Sequence, residues 1–470
     1  MSSTPSEHGH GAVLALAGGA TALAMLDATV ANLAIPDLHT SFGGHAFSDL
    51  SWVITAYAVA FAALLAPAGR LADALGRRPL FIAGTALFAL ASLACALAPS
   101  LGALVTARAI QGVGAAVMIP ASLAIVLTDV PPERRTRAIG VWSAAGALAA
   151  AVGPAVGGVV VDGAGWRWLF IINLPMAAAL IAVAWTAVPR GAVGGRLPDV
   201  VGTLLVAAGV GGVVLGLTQG GDWGWTDPRT IVAVAGGVLA AGAAIRRSMG
   251  HPAPALDVSL WRVPSLAFAN LAGLAYGVVL YAWLLVGVLF LTDVWGYSEL
   301  EAGLAMTPGG IMAGIFALGV APLTGRIGPR PVVIAGGLLL ASDGVFLAAT
   351  LPADPAFLTF WLPGGMVLGA AMGLITTGTS TAAALSAPPE RFASATALNV
   401  TARQVGGALG VAALAMLLDG HTPGTTGAYA DVYVLGAVAA LAVAGFGLRL
   451  VLPGTAAPPS PALTTAEATS

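Results

Sequence analysis

Fourteen long apolar stretches divide this 470-residue chain, and each is about long enough to cross a bilayer as a helix. The hydrocarbon core of a bilayer is about 30 Å thick, so a spanning helix needs roughly 20 apolar residues. The chain is 58% hydrophobic and only 9% charged, whereas about a quarter of the residues in a soluble protein are charged. A transmembrane barrel needs short segments of alternating polarity, and these runs do not alternate. The sequence therefore predicts an all-α integral membrane protein with fourteen transmembrane helices.

The predicted spans form two blocks of six that are separated by a pair. The first block lies near 12–35, 50–69, 80–98, 101–127, 138–160 and 168–188. The pair lies near 199–217 and 229–246. The second block lies near 265–292, 301–324, 331–350, 356–380, 394–418 and 429–452.

One loop motif occurs in both blocks, which indicates an internal repeat. The loop after the second span reads GRLADALGRRP, and the loop after the tenth reads GRIGPRP, a shortened form. Two related six-helix halves with a path between them are a common plan among alternating-access transporters. We predict an N-terminal half at 1–188, a linker with an inserted helix pair at 189–264, a C-terminal half at 265–452 and a disordered tail at 453–470.

The arginines are distributed unequally between the two sides of the predicted membrane. Fifteen lie on one side, two lie on the other, and Arg108 and Arg403 lie inside spans. The side with fifteen is called here the arginine-rich side, and it carries Arg70, Arg77, Arg78, Arg134, Arg135, Arg137, Arg190, Arg196, Arg246, Arg247, Arg262, Arg326, Arg330, Arg391 and Arg449. Loops rich in basic residues favour the cytoplasm. We therefore predict that both termini are cytoplasmic, which requires an even number of spans.

Several classes of chemistry are disfavoured by the residues that the chain lacks. It contains no lysine, and a Walker A phosphate loop requires one, so ATP hydrolysis by this chain is excluded. Cys95 is the single cysteine, and the six histidines all fall in predicted loops or in the N-terminal tail. One thiol forms neither an internal disulfide nor a metal cluster. We expect no metal, no cofactor and no enzymatic activity.

Asp27 is an acid inside the first apolar stretch, and Arg108 is a base inside the fourth. At about 1.5 Å per residue, Asp27 lies about 12 Å and Arg108 about 10 Å from the same side of the membrane. A charge at a helix centre costs about 2.5 to 3.5 kcal/mol, so each group needs a partner or a wet cavity. Two interpretations follow: a static ion pair that joins two helices, or a carboxylate that exchanges a proton for a cationic substrate.

Other polar and aromatic residues inside the spans are further candidates. Asp343 lies near the middle of the eleventh span and is a second candidate for a proton or cation site, with structural pairing as the alternative. Aromatic faces attract cations, so candidates for a substrate cavity in the ninth span are Asn270, Tyr276, Tyr281 and Trp283. Arg403 and Gln404 are candidates for bridging the halves, and substrate contact is the alternative.

The fifth span contains closely spaced small residues in GALAAAVGPAVGG. Gly153 and Gly157 form a GxxxG pair, which lets a neighbouring helix approach closely. Pro154 lies between them and removes a backbone hydrogen bond, so a kink is expected. Packing of small residues alone is the alternative explanation, because the chain contains 63 glycines.

Seven motifs occur in an order that resembles a known family. They are LDATVANLAIP at 26–36, WVITAY at 52–57, GRLADALGRRP at 69–79, ARAIQGVGAA at 107–116, VGPAVGG at 152–158, WRWLFIINLP at 166–175 and ERFASATALNVTARQVGGALGVA at 390–412. Together they resemble the major facilitator superfamily, and specifically its fourteen-helix drug/proton antiporter branch. The resemblance covers essentially the whole chain except both tails. The second loop motif lacks the aspartate, so no gating role is assigned to it.

The resemblance implies roles for individual residues. Asp73 with Arg77 and Arg78 would form a latch on the cytoplasmic side that favours the outward-open state, with Gly69 and Gly76 providing the turns. Gly153, Pro154 and Gly157 belong to the antiporter motif. A substrate cavity would include residues from the first, second and fourth spans, namely Asn32, Trp52, Tyr57 and Gln111.

The function implied by the resemblance is proton-coupled export of small amphipathic or cationic compounds, such as drugs or antibiotics, by alternating access. The expected partners are this small molecule, protons and the lipid bilayer, with no nucleic acid and no second subunit. The absence of lysine beside abundant alanine, glycine and proline is typical of a GC-rich coding sequence, and we expect a bacterial cytoplasmic membrane. The alternatives are a dedicated exporter of a metabolite, amino acid or siderophore, and a membrane sensor that binds without transport.

Overall fold

A computed structural model describes residues 7–43, 47–189, 197–418 and 425–451. The predicted tail at 453–470 and the side chain of Asn32 lie outside the described residues. Every regular element of the described part is helical, and the helices are α1 Glu7–Val30, α2 Ile35–Ser41, α3 Phe47–Leu75, α4 Arg77–Ala96, α5 Leu101–Asp129, α6 Arg135–Ala164, α7 Trp168–Ile171, α8 Asn173–Ala187, α9 Val200–Trp223, α10 Pro228–Gly250, α11 Pro264–Asp293, α12 Glu299–Ile327, α13 Pro329–Thr350, α14 Leu362–Leu385, α15 Phe392–Leu418 and α16 Thr426–Gly447.

The described helices provide 14 spans that are long and apolar enough to cross a membrane. The short helices α7 and α8 together form the sixth span, Trp168–Ala187. The short helix α2 lies between the first and second spans and is too short to cross a bilayer. The all-helical, fourteen-span prediction is therefore confirmed.

The first span ends earlier than the apolar pattern predicted. Helix α1 stops at Val30, and a 3-10 turn at Ala31–Ala34 leads into α2, whereas the predicted span ran to Ile35. A proline has no N–H to donate, and its ring collides with the preceding turn of a helix. Pro36 instead lies in the first turn of α2, where an N–H has no partner inside the helix.

Prolines inside the other spans do not end them. Pro67 of α3, Pro120 of α5, Pro154 of α6 and Pro322 of α12 all lie within uninterrupted helices. Neighbouring helices and hydroxyl side chains compensate for a lost backbone hydrogen bond inside a membrane. The Pro154 position is therefore a point in a continuous helix from Arg135 to Ala164 rather than a helix end.

Small residues bring the two blocks of helices together. A Cβ atom built at Gly69 of α3 would lie 2.7 Å from the carbonyl oxygen of Ala393, which begins α15. A Cβ atom built at Gly140 of α6 would lie 3.0 Å from the carbonyl oxygen of Ala317 in α12. Such approaches leave no room for a side chain. The halves thus meet along two helix pairs, α3 with α15 and α6 with α12.

The first helix of the inserted pair lies against both halves. Val214 of α9 shares a buried apolar cluster with Ala62 of α3 and Ala408 of α15. The Gln219 amide of α9 also donates to the Thr55 hydroxyl of α3, with a distance of 3.3 Å. Helix α10 packs on α9 and exposes apolar side chains such as Leu239 on its other face. Helix α9 therefore joins the two halves beside the α3–α15 contact.

Candidate functional site

Asp27 and Arg108 form an ion pair inside the N-terminal half. One carboxylate oxygen of Asp27 in α1 lies 2.6 Å from the Nη1 atom of Arg108 in α5, and both side chains are fully buried. The depth calculation from the sequence predicted that the two groups lie at a similar level, and the structure places them in contact.

Three neutral polar side chains complete the network around Asp27. The Gln111 amide nitrogen donates to Asp27 Oδ1 over 2.8 Å, and the Asn173 amide nitrogen donates to the same oxygen over 2.7 Å. The Gln111 amide nitrogen also lies 2.7 Å from the Ser92 hydroxyl. These residues come from α4, α5 and α8. The carboxylate is thus held by donors on two other helices, and Ser92 links them to a third.

Arg108 makes further contacts that hold its guanidinium in place. Its Nε atom donates to the Val53 carbonyl of α3 over 3.0 Å, and its Nη1 atom donates to Gln111 over 2.6 Å. The guanidinium carbon lies 4.4 Å from the centre of the Tyr57 ring, which is a cation–π contact. Its buried Nη2 atom has no partner among the described residues. Burying a charge pair is costly unless such hydrogen bonds compensate for lost water.

Sequence reasoning identified some members of this network and missed others. Asp27 and Arg108 were predicted because they are charged residues in apolar runs. Tyr57 and Gln111 were predicted as candidates for a substrate cavity. In this structure Gln111 is fully buried and donates to Asp27, and its place in a cavity stays a prediction. Asn173 was not predicted, although it lies inside the WRWLFIINLP motif. Such motif membership was the available signal.

A second group of polar side chains lies on α11 and α15. The Tyr281 hydroxyl of α11 donates to the Gln404 side-chain oxygen of α15 over 2.6 Å. Arg403 is half-buried and lies within electrostatic range of the hydroxyl groups of Tyr276 and Tyr281. Tyr57 of the N-terminal half is in electrostatic range of Tyr281. These side chains of α11 and α15 therefore form a polar cluster near Tyr57 of α3.

Two other predicted cavity residues pack elsewhere. The Asn270 side-chain oxygen of α11 accepts a hydrogen bond from Asn399 of α15 over 3.4 Å and is buried, so it joins two helices of one half. The Trp52 ring lies 6.2 Å from the ring of Trp223 in the inserted helix α9. Both residues therefore contact neighbouring helices in this structure, and their place in a substrate cavity stays a prediction. Asn32 was the remaining candidate, and its side chain is not described.

Asp73 connects the halves on the arginine-rich side. Its carboxylate accepts hydrogen bonds from the Ser394 N–H over 2.9 Å, the Ser394 hydroxyl over 2.7 Å and the Ala393 N–H over 3.3 Å. These N–H groups begin α15, and the N-terminus of a helix carries a partial positive charge. A carboxylate of one half therefore caps a helix of the other half.

Arg77 and Arg78 have different partners although they are adjacent. Arg77 donates to the Pro389 carbonyl of the C-terminal half and to the Thr128 hydroxyl, and it lies 3.4 Å from Asp73. Arg78 donates to the Trp185 carbonyl of α8 over 2.6 Å and stacks on the Trp185 ring. The latch predicted with both arginines is corrected: Arg78 binds within its own half. The contact between the halves, called here the latch, is made by Asp73, Arg77 and the start of α15.

Glycines shape the same region. Gly76 has a φ angle of +98°, which side chains rarely adopt, and it begins α4 directly after α3. Gly69 was also predicted to provide a turn, but it lies inside α3, which continues to Leu75, and it provides the close approach to α15 instead. Gly153 of the antiporter motif lies directly against the Thr29 side chain of α1, and Gly157 is buried. The predicted close approach at this motif is therefore between α6 and α1.

A segment after the inserted pair also contacts both halves. The carboxylate of Asp257 lies 3.6 Å from Arg70 of the N-terminal half and 3.0 Å from Arg391 of the C-terminal half. Asp199 caps α9 and pairs with Arg247 of α10, and hydrogen bonding from Arg247 lowers the pKa of Asp199 to about 2. The contacts of Asp257 were not predicted from the sequence. The inserted pair is thus tied to the latch region by ion pairs.

Asp343 lies in the other half and belongs to no part of the Asp27 network. It is in α13 and only 4% exposed, and its Oδ2 atom has no hydrogen-bond partner in the described part of the chain. The two candidate carboxylates therefore differ in surroundings, because Asp27 is paired with Arg108, whereas Asp343 has no basic partner among the described residues.

The sequence matches known proteins over most of its length. The model of the Major Facilitator Superfamily matches residues 17–411 and 269–468. The puromycin resistance protein pur8 of Streptomyces alboniger is 38% identical over 87% of this chain and 80% of its own length. The multidrug resistance protein Stp of Mycobacterium tuberculosis is 34% identical over 84% of this chain and 73% of its own. The cephamycin export protein CmcT of Amycolatopsis lactamdurans is 33% identical over 94% and 92%.

The fold also has a solved counterpart. The crystal structure of the human organic anion transporter MFSD10 (TETRAN) matches with a TM-score of 0.66, covering 92% of this chain and 99% of that one. Its sequence is 16% identical, so this likeness concerns the fold alone. The matched family model and the related exporters and resistance proteins agree: the chain belongs to the Major Facilitator Superfamily.

Proposed function

We propose that this protein exports small amphipathic or cationic compounds across a bacterial cytoplasmic membrane in exchange for protons. The observation that carries the proposal is the buried Asp27–Arg108 pair, in which a single carboxylate is the acceptor for donors from three residues. A proton on Asp27 would remove the charge that neutralises Arg108. The network then loses its central acceptor, and the helices that it joins become free to rearrange.

Proton entry supplies the energy for export in this proposal. Movement of one charge through 100 mV is worth about 2.3 kcal/mol. Asp27 is fully buried in this structure, so water must reach it in another conformation. A proton can therefore bind or leave only in step with the opening of the path, which is the condition for coupled exchange. No cofactor is required by this scheme.

The path in this scheme lies between the halves. Tyr57, Tyr281, Arg403 and Gln404 are positioned along it, and the Asp73 latch closes it on the arginine-rich side. Aromatic rings and hydroxyl groups suit compounds with an apolar body and a polar or charged group. The related proteins are named for multidrug resistance, puromycin resistance and cephamycin export. An antibiotic-like cargo is the class that these features favour.

The transport step is tested with purified protein in proteoliposomes. We expect proteoliposomes with an acidic lumen to accumulate ethidium, a small amphipathic cation, and we expect a protonophore to abolish the accumulation. Protein-free liposomes are the control for passive entry of ethidium. Ethidium binding without accumulation under either direction of the gradient would contradict export and support a sensor.

The orientation is tested by cysteine labelling. Cys95 is fully buried, so we expect it to react little with a maleimide. Labelling of an introduced cysteine then reports the side of the membrane on which that cysteine lies. Glu133 precedes α6 and Asp162 lies in its last turn, and both are exposed, so they mark opposite ends of that helix. We expect a membrane-impermeant maleimide to label Asp162→Cys in intact cells and Glu133→Cys only after cell opening. The reverse pattern would place the arginine-rich side outside and overturn the orientation.

A further inference from the structure

The C-terminal half contains a position that corresponds to Arg108. A 3-10 turn with the sequence PER follows α5 at Pro132–Arg134, and the same turn follows α14 at Pro389–Arg391. Counting the same number of residues back from each turn pairs Arg108 with Gly365 and Gln111 with Leu368. The internal repeat thus predicts that α14 lacks the polar residues found in α5.

Packing confirms this correspondence. A Cβ atom built at Gly84 of α4 would lie 2.9 Å from the Val117 side chain. A Cβ atom built at Gly336 of α13 would lie 3.0 Å from Leu374. Counting back from the same turns pairs Val117 with Leu374. Counting forward from the prolines that end the two loop motifs pairs Gly84 with Gly336. Both helix pairs therefore meet through equivalent residues.

The position that Arg108 fills in one half is open in the other. A Cβ atom built at Gly365 would meet no atom within 4 Å. A cavity of about 70 Å³ lies there, and both Gly365 and Leu368 line it. Its walls include the aromatic residues Trp283, Trp361 and Tyr433. The cavity reaches the surface of the described part at Leu284, which is 42% exposed.

A carboxylate without a basic partner lies beside this cavity. A Cβ atom built at Gly364, which precedes Gly365, would lie 3.9 Å from Asp343 Oδ1. Asp343 is also within electrostatic range of Tyr433, which lines the cavity. Its Oδ2 atom is buried without a hydrogen-bond partner in the described residues. In the N-terminal half the corresponding region holds an arginine, whereas here the carboxylate faces no base among them.

We propose that this cavity is a binding site for the head group of a small alkylammonium ion, separate from the path between the halves. The ligand's cation would take the place that the Arg108 guanidinium takes in the other half, with Asp343 supplying the negative charge. Three aromatic walls attract a cation that has apolar substituents. A carboxylate buried in a membrane is costly without a compensating charge, so a bound cation would stabilise the site.

The size and lining of the cavity restrict the ligand. The cavity of about 70 Å³ is smaller than an engineered cavity of about 150 Å³ in another protein that binds benzene, and it is open to the surface at Leu284, so a bulky head group would occupy it only in part. An apolar tail would leave through the opening at Leu284. Met306 also lines the wall, and its flexible thioether adapts to irregular shapes. The site therefore favours a quaternary or tertiary ammonium over a strongly hydrated primary amine.

Choline and 3,3-dimethylbutan-1-ol test this proposal, because they have the same shape and differ in charge. We expect choline to raise the Tm of the purified protein in detergent, since a ligand that binds the folded state stabilises it. The uncharged analogue should give a much smaller shift. No membrane gradient is present, so the result does not depend on whether the protein transports anything.

Three variants assign the binding to this cavity. The choline shift should disappear in Asp343→Asn, and it should disappear in Gly365→Leu, which fills the cavity and leaves the carboxylate in place. The choline shift should persist in Asp27→Asn, because this substitution removes a carboxylate in the other half, away from the cavity. If Asp343→Asn does not fold, Gly365→Leu decides alone. A choline shift that persists in Gly365→Leu, or an equal shift with the uncharged analogue, would overturn the proposal.

Discussion

Replacing Asp27 by Asn is expected to reduce proton-driven ethidium export to the level of protein-free liposomes. Asn has the shape of Asp and can still accept a hydrogen bond from Arg108, but it cannot take up and release a proton. The substitution also leaves Arg108 without its counter-charge. Removing one partner of a buried pair costs about 3 to 5 kcal/mol. Arg108 keeps its contacts with Val53, Gln111 and the Tyr57 ring, so we expect a less stable but folded protein.

The double variant Asp27→Asn/Arg108→Gln separates a proton site from a static ion pair. It removes both charges, so no uncompensated charge remains and the Tm should recover toward that of the unaltered protein. If the pair only holds helices together, export should recover with the Tm. If Asp27 carries the proton, export should stay at background although the Tm has recovered. Recovery of both would contradict the coupling role.

Asp27→Glu provides the conservative comparison. It keeps a titratable carboxyl group and adds one methylene, so a measurable fraction of export should remain. Export by Asp27→Asn at the unaltered rate would also refute the role of Asp27. The proton would then be carried elsewhere, and Asp343→Asn would be the next variant to assay under the same gradient.

Charge made the centre of the site predictable from sequence. Asp27 and Arg108 are conspicuous because charged residues are rare inside apolar spans, and helix rise alone places them at one depth. Ser92 and Asn173 are neutral, and such residues occur in spans for many reasons. Their contact with the network depends on how α4 and α8 are rotated about their axes. Rotation is set by packing against other helices, which one sequence does not show.

The latch shows the same limit. Asp73 and Arg77 were predicted as a unit with Arg78, but successive residues on a helix point about 100° apart. Arg77 faces α15, whereas Arg78 faces Trp185. The contacts of Asp257 with Arg70 and Arg391 join segments that are distant in the chain. Spans and their order follow from hydropathy, but contacts between distant loops follow from the assembled fold.

Replacing Asp73 by Asn is expected to shift the protein toward a state that is open on the arginine-rich side. The Asp73 carboxylate accepts three hydrogen bonds at the start of α15, two from N–H groups and one from the Ser394 hydroxyl. Hydrogen bonds to a charged group are worth about 1.5 to 3 kcal/mol each. Loss of about 1.4 kcal/mol already changes a population ratio about tenfold. These bonds join the two halves, so they stabilise only the state in which the halves meet on this side.

Spin labels at Glu133→Cys and Glu390→Cys measure the shift, because both positions are exposed on the arginine-rich side and lie in different halves. We expect Asp73→Asn to broaden the distance distribution toward longer values and to slow export. Asp129→Asn is the matched control. It also removes an acid on the arginine-rich side, where α5 ends, but this acid is not part of the latch. Asp73→Glu should retain part of the short-distance population because it keeps the charge near α15. An unchanged distribution in Asp73→Asn would show that the Gly69 and Gly140 contacts close this side without the carboxylate.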